Sequence, residues 1–490
     1  MRIRLRAIQA FLLFSLLDFT SATFKDIDAQ YHTDQDVSMA ESLKSHSPLD
    51  VEKYPVAPSG LELEQVHIYV RHGERTPVGV RLAGPPANLP EHWMMCKTAR
   101  RFQASVNAPG IDGAMDEFQQ SRKMVERADG THKEGQCLLG ELTDLGRKST
   151  YSFGTSLRKL YVEKLGFLPD LLQNAGEVYF RTTNVPRTTE SLQQIVHGLY
   201  PSSKCHSEAI PLIFVRNGRD ENLLGNAGSC KRLEILLIGF AQAAASAYNH
   251  TLEPLDKKIS KYLDGHPIRI DGKPRASGIL DTIRAATAHN VKVPPEFEEK
   301  AVIDVIEKAV VAECSEVQTI STDNLLTFES LLDKTEEVRR LGMGRLLDDL
   351  STKMQHKVLN RDKDPLKILV HSTHDTALAG LASTLDVFDD KWPQFTSSIS
   401  FELFKSTPAG NGSSFLQTLI SPFRSKASPE HYIRMRYQNK NMLLPMCADE
   451  GKHLPGSPEF CTLTAFRERV KELTPLDFVS ECAPTGRNST

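Results

Sequence analysis

The sequence predicts an α/β fold: an open, mostly parallel sheet flanked by helices, interrupted by an inserted, mostly helical cap. Two observations carry this expectation. Three widely separated units share one plan, a short apolar run that reads as a strand, then charged or hydroxyl residues, then apolar residues at helical spacing in the last two units. Between the second and third units the pattern is helical and strand signals are few.

In chain order, the N-terminus reads MRIRLR, then AIQAFLLFSLLDF, then TSA, which has the basic, apolar and small-residue parts of a secretory signal peptide over residues 1–22, cut after Ala22. The apolar run is too short for a membrane span, and no later run approaches spanning length. Residues 23–60 are polar, proline-containing and aperiodic, and read as a mobile lead-in, with order beginning near Leu61. The first unit is Val66 to Val70 followed by RHGERTP. The second is Glu177 to Phe180 followed by RTTNVPRTTES, after which Leu192, Ile195, Val196 and Leu199 recur at helical spacing. The third is Lys367 to Val370 followed by HSTHD, after which Leu378, Leu381 and Leu385 repeat the helical pattern.

Residues 61–205 and 361–490 are therefore expected to form the sheet domain, and 206–360 the cap, with Val302, Val305, Ile306 and Ala309, or Leu346, Leu347, Leu350 and Met354, as examples of its helical periodicity. If the three strands are parallel in one sheet, their polar segments all leave at the carboxyl edge. Open α/β sheets bind ligands there.

Lysine and arginine (59) nearly balance the acids (62), for a net charge of -3 over 490 residues, which argues against a general nucleic-acid binder. A signal peptide makes the eight cysteines readable as disulfide candidates, and their spacing offers no paired CxxC zinc pattern. The sequons at Asn249 and Asn411 fit the same secreted or lysosome-like lumenal destination. Oligomeric state is left open.

The segments RHGERTP at 71–77, RTTNVPRT at 181–188 and HSTHDT at 371–376 resemble the histidine acid phosphatases, a branch of the histidine phosphatase superfamily. Lesser marks are GELTDLG at 140–146, KWPQF at 391–395 and FELF at 401–404, so the likeness runs from about residue 61 to 465. The resemblance implies that His72 is the nucleophile that takes the phosphoryl group. It implies that Arg71, Arg75, Arg187 and His374 hold the phosphate oxygens, that Asp375 protonates the leaving oxygen, and that Arg181 is a supporting residue. It also implies a disulfide between Cys447 and Cys461. The other six cysteines are left unassigned.

Elementary chemistry agrees. A phosphate monoester is an anion whose transfer depends on positioning and on neutralising its nonbridging oxygens, which arginine forks do. Neighbouring cations keep an imidazole neutral and nucleophilic, and a poor leaving group needs a proton, which a protonated Asp375 supplies at acidic pH. A metal held by His72, His371, His374 and Asp375 would be repelled by the arginines, so neither metal nor other cofactor is expected.

Two departures stand out: Asn184 and Pro186 occupy positions where many family members carry aspartates, while Glu74 keeps the acid after RHG. The runs LRKLYVEKLGFLP at 157–169 and FDDKWPQF at 388–395 are most similar to the lysophosphatidic acid phosphatase-type branch. The expected activity is acid phosphomonoester hydrolysis. The competing readings are a phosphotransferase or mutase of the same superfamily, and a catalytically silent binder of phosphorylated ligands. A binder needs neither His72 nor Asp375.

Overall fold

A computed structural model of the chain describes residues 49–98, 101–106, 117–315, 335–407 and 430–484. Its strands are β1 (Leu61–Arg71), β2 (Arg101–Val106), β3 (Glu117–Arg122), β4 (Val178–Thr182), β5 (Ile213–Val215), β6 (Ile368–Thr373), β7 (Ser398–Ser406), β8 (His431–Tyr437), β9 (Lys440–Met442), β10 (His453–Leu454) and β11 (Ser457–Thr462). Apart from the β2–β3 hairpin, they form one sheet in the order β10-β11-β8-β7-β1-β6-β4-β5, with β9 on β8. The block β1-β6-β4-β5 is parallel. Strands β7, β8 and β11 extend it antiparallel from the other side of β1.

The helices that matter for the site are α1 (Asp144–Arg158), α2 (Pro186–Leu199), α3 (Lys231–Ile259), α4 (Ala276–Ala288), α5 (Lys300–Ser315), α6 (Arg345–Asn360) and α7 (Asp375–Thr384). Thr143 caps α1 by accepting from the Gly146 N–H, and Pro186 opens α2 at its first turn, where the missing N–H costs nothing. Because strand side chains alternate, Val66, Ile68 and Val70 of β1 pack with Phe153, Leu157, Leu192 and Ile195 of α1 and α2. Tyr69 faces the other way, onto Leu346, Leu350, Leu378 and Leu381 of α6 and α7. Helices cover both faces, which is why successive residues of β1 from Gln65 and all of β6 are buried. A Cβ on Gly154 would lie 2.2 Å from the Ile195 carbonyl oxygen, so glycine is what lets α1 and α2 meet this closely.

Helices α3, α4 and α5 build a second core, with Leu252, Ile259, Ile279, Ile283, Val302 and Ile306 at its centre. The segment expected to be cap is not all helical insertion. Strand β5 lies inside it yet pairs with β4, and Leu346, Leu347, Leu350 and Met354 of α6 pack on Tyr69, Ile399 and Phe401 of the sheet. Periodicity shows that a helix has an apolar face but not which partner covers it.

The lead-in also needs correction, because order begins before Leu61. Leu49 and Tyr54 are buried, the Tyr54 hydroxyl donates to Glu402 Oε1 at 3.2 Å, and Arg434 Nη2 donates to Tyr54 Oη at 2.7 Å. Arg434 and Arg436 share the buried carboxylate of Glu402 and hold this segment to the sheet. Residues 1–22 and most of 23–60 lie outside the described residues, as does Asn411.

Asn249 sits within α3 rather than on a loop. Its amide nitrogen donates to Asp271 Oδ1 at 2.9 Å and its oxygen accepts from the Ile270 N–H. Disulfides join Cys447 to Cys461, Cys96 to Cys137 and Cys230 to Cys482, and Cys205 is a free thiol. Among the described residues no helix is long and apolar enough to cross a membrane.

Candidate active site

Strand register brings the three motifs to one edge. Arg71 pairs with Thr373 across β1 and β6, and Thr182 pairs with Ser372 across β6 and β4, so His72, Thr183 and His374 are the next residues out at neighbouring strand ends. Gly73 lets the first loop bend onto the start of α1, since a Cβ there would stand 2.3 Å from the Gly146 carbonyl oxygen.

His72 is buried, and its backbone N–H donates to the Thr373 carbonyl at 3.0 Å. Its Nδ1 lies 2.9 Å from the Gly73 carbonyl oxygen. A carbonyl only accepts, so Nδ1 carries the proton and Nε2 keeps a free lone pair. Burial, then Arg71, Arg75, Arg187 and His374, hold its pKa well below the ordinary histidine value. The imidazole is neutral across the physiological range.

Four further side chains surround it. Arg71 reaches Asp375 Oδ2 at 2.6 Å and the Pro393 carbonyl at 2.7 Å, with its guanidinium 4.1 Å above the Phe395 ring. Arg75 pairs with Asp281 of α4 at 2.8 Å and lies 5.8 Å from the same ring. Arg187, on the first turn of α2, extends Nη2 to 3.5 Å from His374 Nδ1. The His72 and His374 rings have centroids 5.7 Å apart.

A guanidinium only donates, so His374 Nδ1 accepts and Nε2–H donates to Thr183 Oγ1 at 3.0 Å. Thr183 continues to Thr188 Oγ1 at 2.7 Å. Burial and Arg187 lower the His374 pKa to about 4. Asp375 opens α7, its Oδ1 accepting the Thr376 N–H at 2.8 Å and its Oδ2 the Trp392 indole N–H at 3.2 Å. Burial pushes its carboxyl up, but Arg71, Arg75 and these two donors outweigh burial and leave it below the usual carboxylate range. In the free site Asp375 is therefore ionised.

The structure gathers Arg71, His72, Arg75, Arg187, His374 and Asp375, and leaves Arg181 and His371 elsewhere. Arg181 is buried with Glu221 and Asn222 and reaches Asp349 of α6 at 3.6 Å, while His371 stacks on Tyr69 with ring centroids 4.7 Å apart. Glu74 accepts a hydrogen bond from Ser149 of α1. Sequence reasoning missed Thr183, Asp281, Trp392 and Phe395. Thr183, Trp392 and Phe395 lie within quoted motifs, and Trp392 is one of two tryptophans in the chain. Asp281 carries no local signal, because only the fold of the insertion brings α4 to Arg75.

The cluster opens into a cleft of about 2140 Å³ between the sheet edge and the insertion. Near the motifs its wall is charged, with Arg71, Arg75, Asp281 and Asp375; further out, Leu237, Ile238 and Ala241 of α3 face Val310 and Val311 of α5.

The profile of the histidine phosphatase superfamily (branch 2) matches residues 62–438. A probable acid phosphatase of Schizosaccharomyces pombe is 32% identical over 459 residues, covering 87% of this chain and 95% of that protein. The human lysophosphatidic acid phosphatase type 6 is 26% identical over 357 residues, covering 72% and 76% of the two chains. A phytase of Hafnia alvei is similar in fold, with a TM-score of 0.52 at 16% identity, covering 87% of this chain and 99% of that one. By the span of the profile match and the likeness to the yeast protein, the chain belongs to branch 2 of the histidine phosphatase superfamily.

Proposed function

We propose that this phosphatase hydrolyses phosphate monoesters at acidic pH through a phosphohistidine on His72. The observation that carries the reading is the Nδ1–H bond to the Gly73 carbonyl, which leaves the Nε2 lone pair of a neutral imidazole among three arginines. Arg71, Arg75, Arg187 and His374 hold the nonbridging oxygens. Nε2 attacks phosphorus, the bond to the ester oxygen breaks, and Asp375 gives that oxygen a proton. Water then attacks the phosphohistidine, Asp375 takes the water proton, the P–N bond breaks and inorganic phosphate leaves.

Asp375 has to be protonated for the first step, although the free site pairs it with Arg71. A bound phosphate competes for Arg71 and sets new negative charge beside the carboxylate, and both changes favour its protonation. The same charge favours His374 as a cation that donates from Nδ1. Asp375, which occupies Arg71 in the free site, thus gives the substrate anion an advantage as it takes up a proton.

The apolar part of the cleft supports a monoester with a hydrocarbon body, in keeping with the name of the human relative. Disulfides support an oxidising, secreted or lumenal destination. A His72→Ala variant tests the reading. It is expected to lose roughly 10⁴-fold or more in kcat while still binding inorganic phosphate. Turnover within tenfold of wild type, in a folded variant, would rule His72 out as the nucleophile.

A further inference from the structure

We infer that Trp392 is a positioning residue for Asp375, and that Glu307 and Arg284 of the helical insertion hold it in place. This rests on Asp375 being the general acid. The indole N–H of Trp392 donates to Asp375 Oδ2, the same oxygen that Arg71 occupies in the free site. Oδ1 is already committed to the Thr376 N–H. When a phosphate draws Arg71 away, the indole becomes the remaining side-chain bond that fixes which way Oδ2 faces.

Trp392 is itself held from behind. Its backbone N–H donates to Glu307 Oε1 of α5 at 2.8 Å, its carbonyl accepts from Arg284 Nη1 of α4 at 3.5 Å, and Arg284 and Glu307 are joined at 2.6 Å. One residue further on, the Pro393 carbonyl accepts from Arg71, and Phe395 lies under Arg71 and Arg75. The loop KWPQF is thus a bracket between the insertion and the reacting groups. The proton donor is aligned only when the insertion is seated.

The charged groups around Asp375 are Arg71 on β1, Arg75 on the following loop, Arg187 on α2, His374 beside it, Asp281 and Arg284 on α4, Glu307 on α5 and Lys391 on the loop. Trp392→Phe changes none of these charges and keeps the ring. It removes a hydrogen bond that favours the carboxylate, so the Asp375 pKa rises, and it loosens the orientation of the acid.

The experiment compares an alkyl phosphate with p-nitrophenyl phosphate in Trp392→Phe, Glu307→Ala, Glu307→Gln and Asp375→Asn. In the first two, kcat for the alkyl ester is expected to fall roughly 10- to 100-fold, as loss of a hydrogen bond to a charged group does, with a much smaller fall for the aryl ester. In Trp392→Phe the alkaline limb of the alkyl-ester kcat profile should move to higher pH. Glu307→Gln keeps an acceptor for the Trp392 N–H and should recover most of the loss. In an Asp375→Asn background, Trp392→Phe should add nothing. Equal losses on both esters with an unmoved limb, while Asp375→Asn alone remains selective for the alkyl ester, would overturn the role of Trp392 and leave the general acid standing. Equal losses in Asp375→Asn itself would overturn both. Glu307→Ala leaves the tryptophan in place, so the inference stays open to refutation if Trp392→Phe does not fold.

Discussion

Arg71 and Asp375 are joined at 2.6 Å, so the free site pairs a cation proposed to hold phosphate with the carboxylate proposed as the acid. This pairing makes the protonation state of the site depend on whether a phosphate is bound.

Binding of inorganic phosphate should therefore take up protons. Asp375 lies below the usual carboxylate range and His374 at about 4 in the free site, and a bound anion raises both. Calorimetry at pH 5 in buffers of different ionisation enthalpy should show net uptake beyond that of phosphate itself. A binding enthalpy independent of buffer after that correction would contradict the account.

Changing Asp375 to Asn should discriminate between leaving groups. An alkoxide needs the proton, so an alkyl ester should lose roughly 10²- to 10⁴-fold, whereas nitrophenolate departs without it and should lose far less. The ratio of kcat values for the two substrates is the measurement, and an unchanged ratio would leave Asp375 with an orienting role.

Arg187 and Arg181 should separate cleanly. Arg187→Lys keeps the charge but loses the fork facing His374, so activity should fall by about one to two powers of ten. Arg181→Ala leaves Glu221 buried without its cation, which typically costs about 3–5 kcal/mol, so the melting temperature should drop while kcat of the folded fraction stays near wild type. Paired thermal melts and active-site titrations distinguish the two, and a kcat loss in Arg181→Ala at full folding would place Arg181 in the clamp after all.

Acid should weaken the fold even though the proposed mechanism calls for it. Buried His72 and His371 lie well below the ordinary histidine value, and His67 and His374 at about 3 and 4. Between those values and about 6.5 the unfolded chain binds more protons, so stability falls as pH drops through that window. Glu402, lowered to about 2 between its two arginines, acts in the same direction below about 4.5. Melting temperatures should decline from pH 7 to pH 4, and a rise over that range would contradict the burial of these neutral rings.

What the sequence could show of this site followed from chain connectivity. Arg71, His72 and Arg75, or His374 and Asp375, are neighbours in sequence, and a strand followed by a turn fixes where they emerge. The parallel pairing of β1, β6 and β4 entered the sequence reading only as a condition, because an apolar run does not name its neighbours in a sheet. Asp281, Glu307 and Arg284 act from helices whose local pattern reports only an apolar stripe, and their approach to Arg75 and Trp392 exists only once the insertion is folded. Arg181 shows the converse: it stands one residue inside its strand rather than beyond it, on the face that meets Glu221 and Asp349, and spacing alone does not tell which arginine of a pair turns toward the cleft.

The proposed reaction puts a phosphoryl group on one nitrogen of one histidine. Alkaline quenching during turnover, followed by proteolysis and mass spectrometry with 31P NMR of the labelled peptide, locates that group. Phosphorylation is expected on His72 at Nε2, because Nδ1–H is held by the Gly73 carbonyl. Label at Nδ1, on another residue, or on no residue at all during turnover would contradict it.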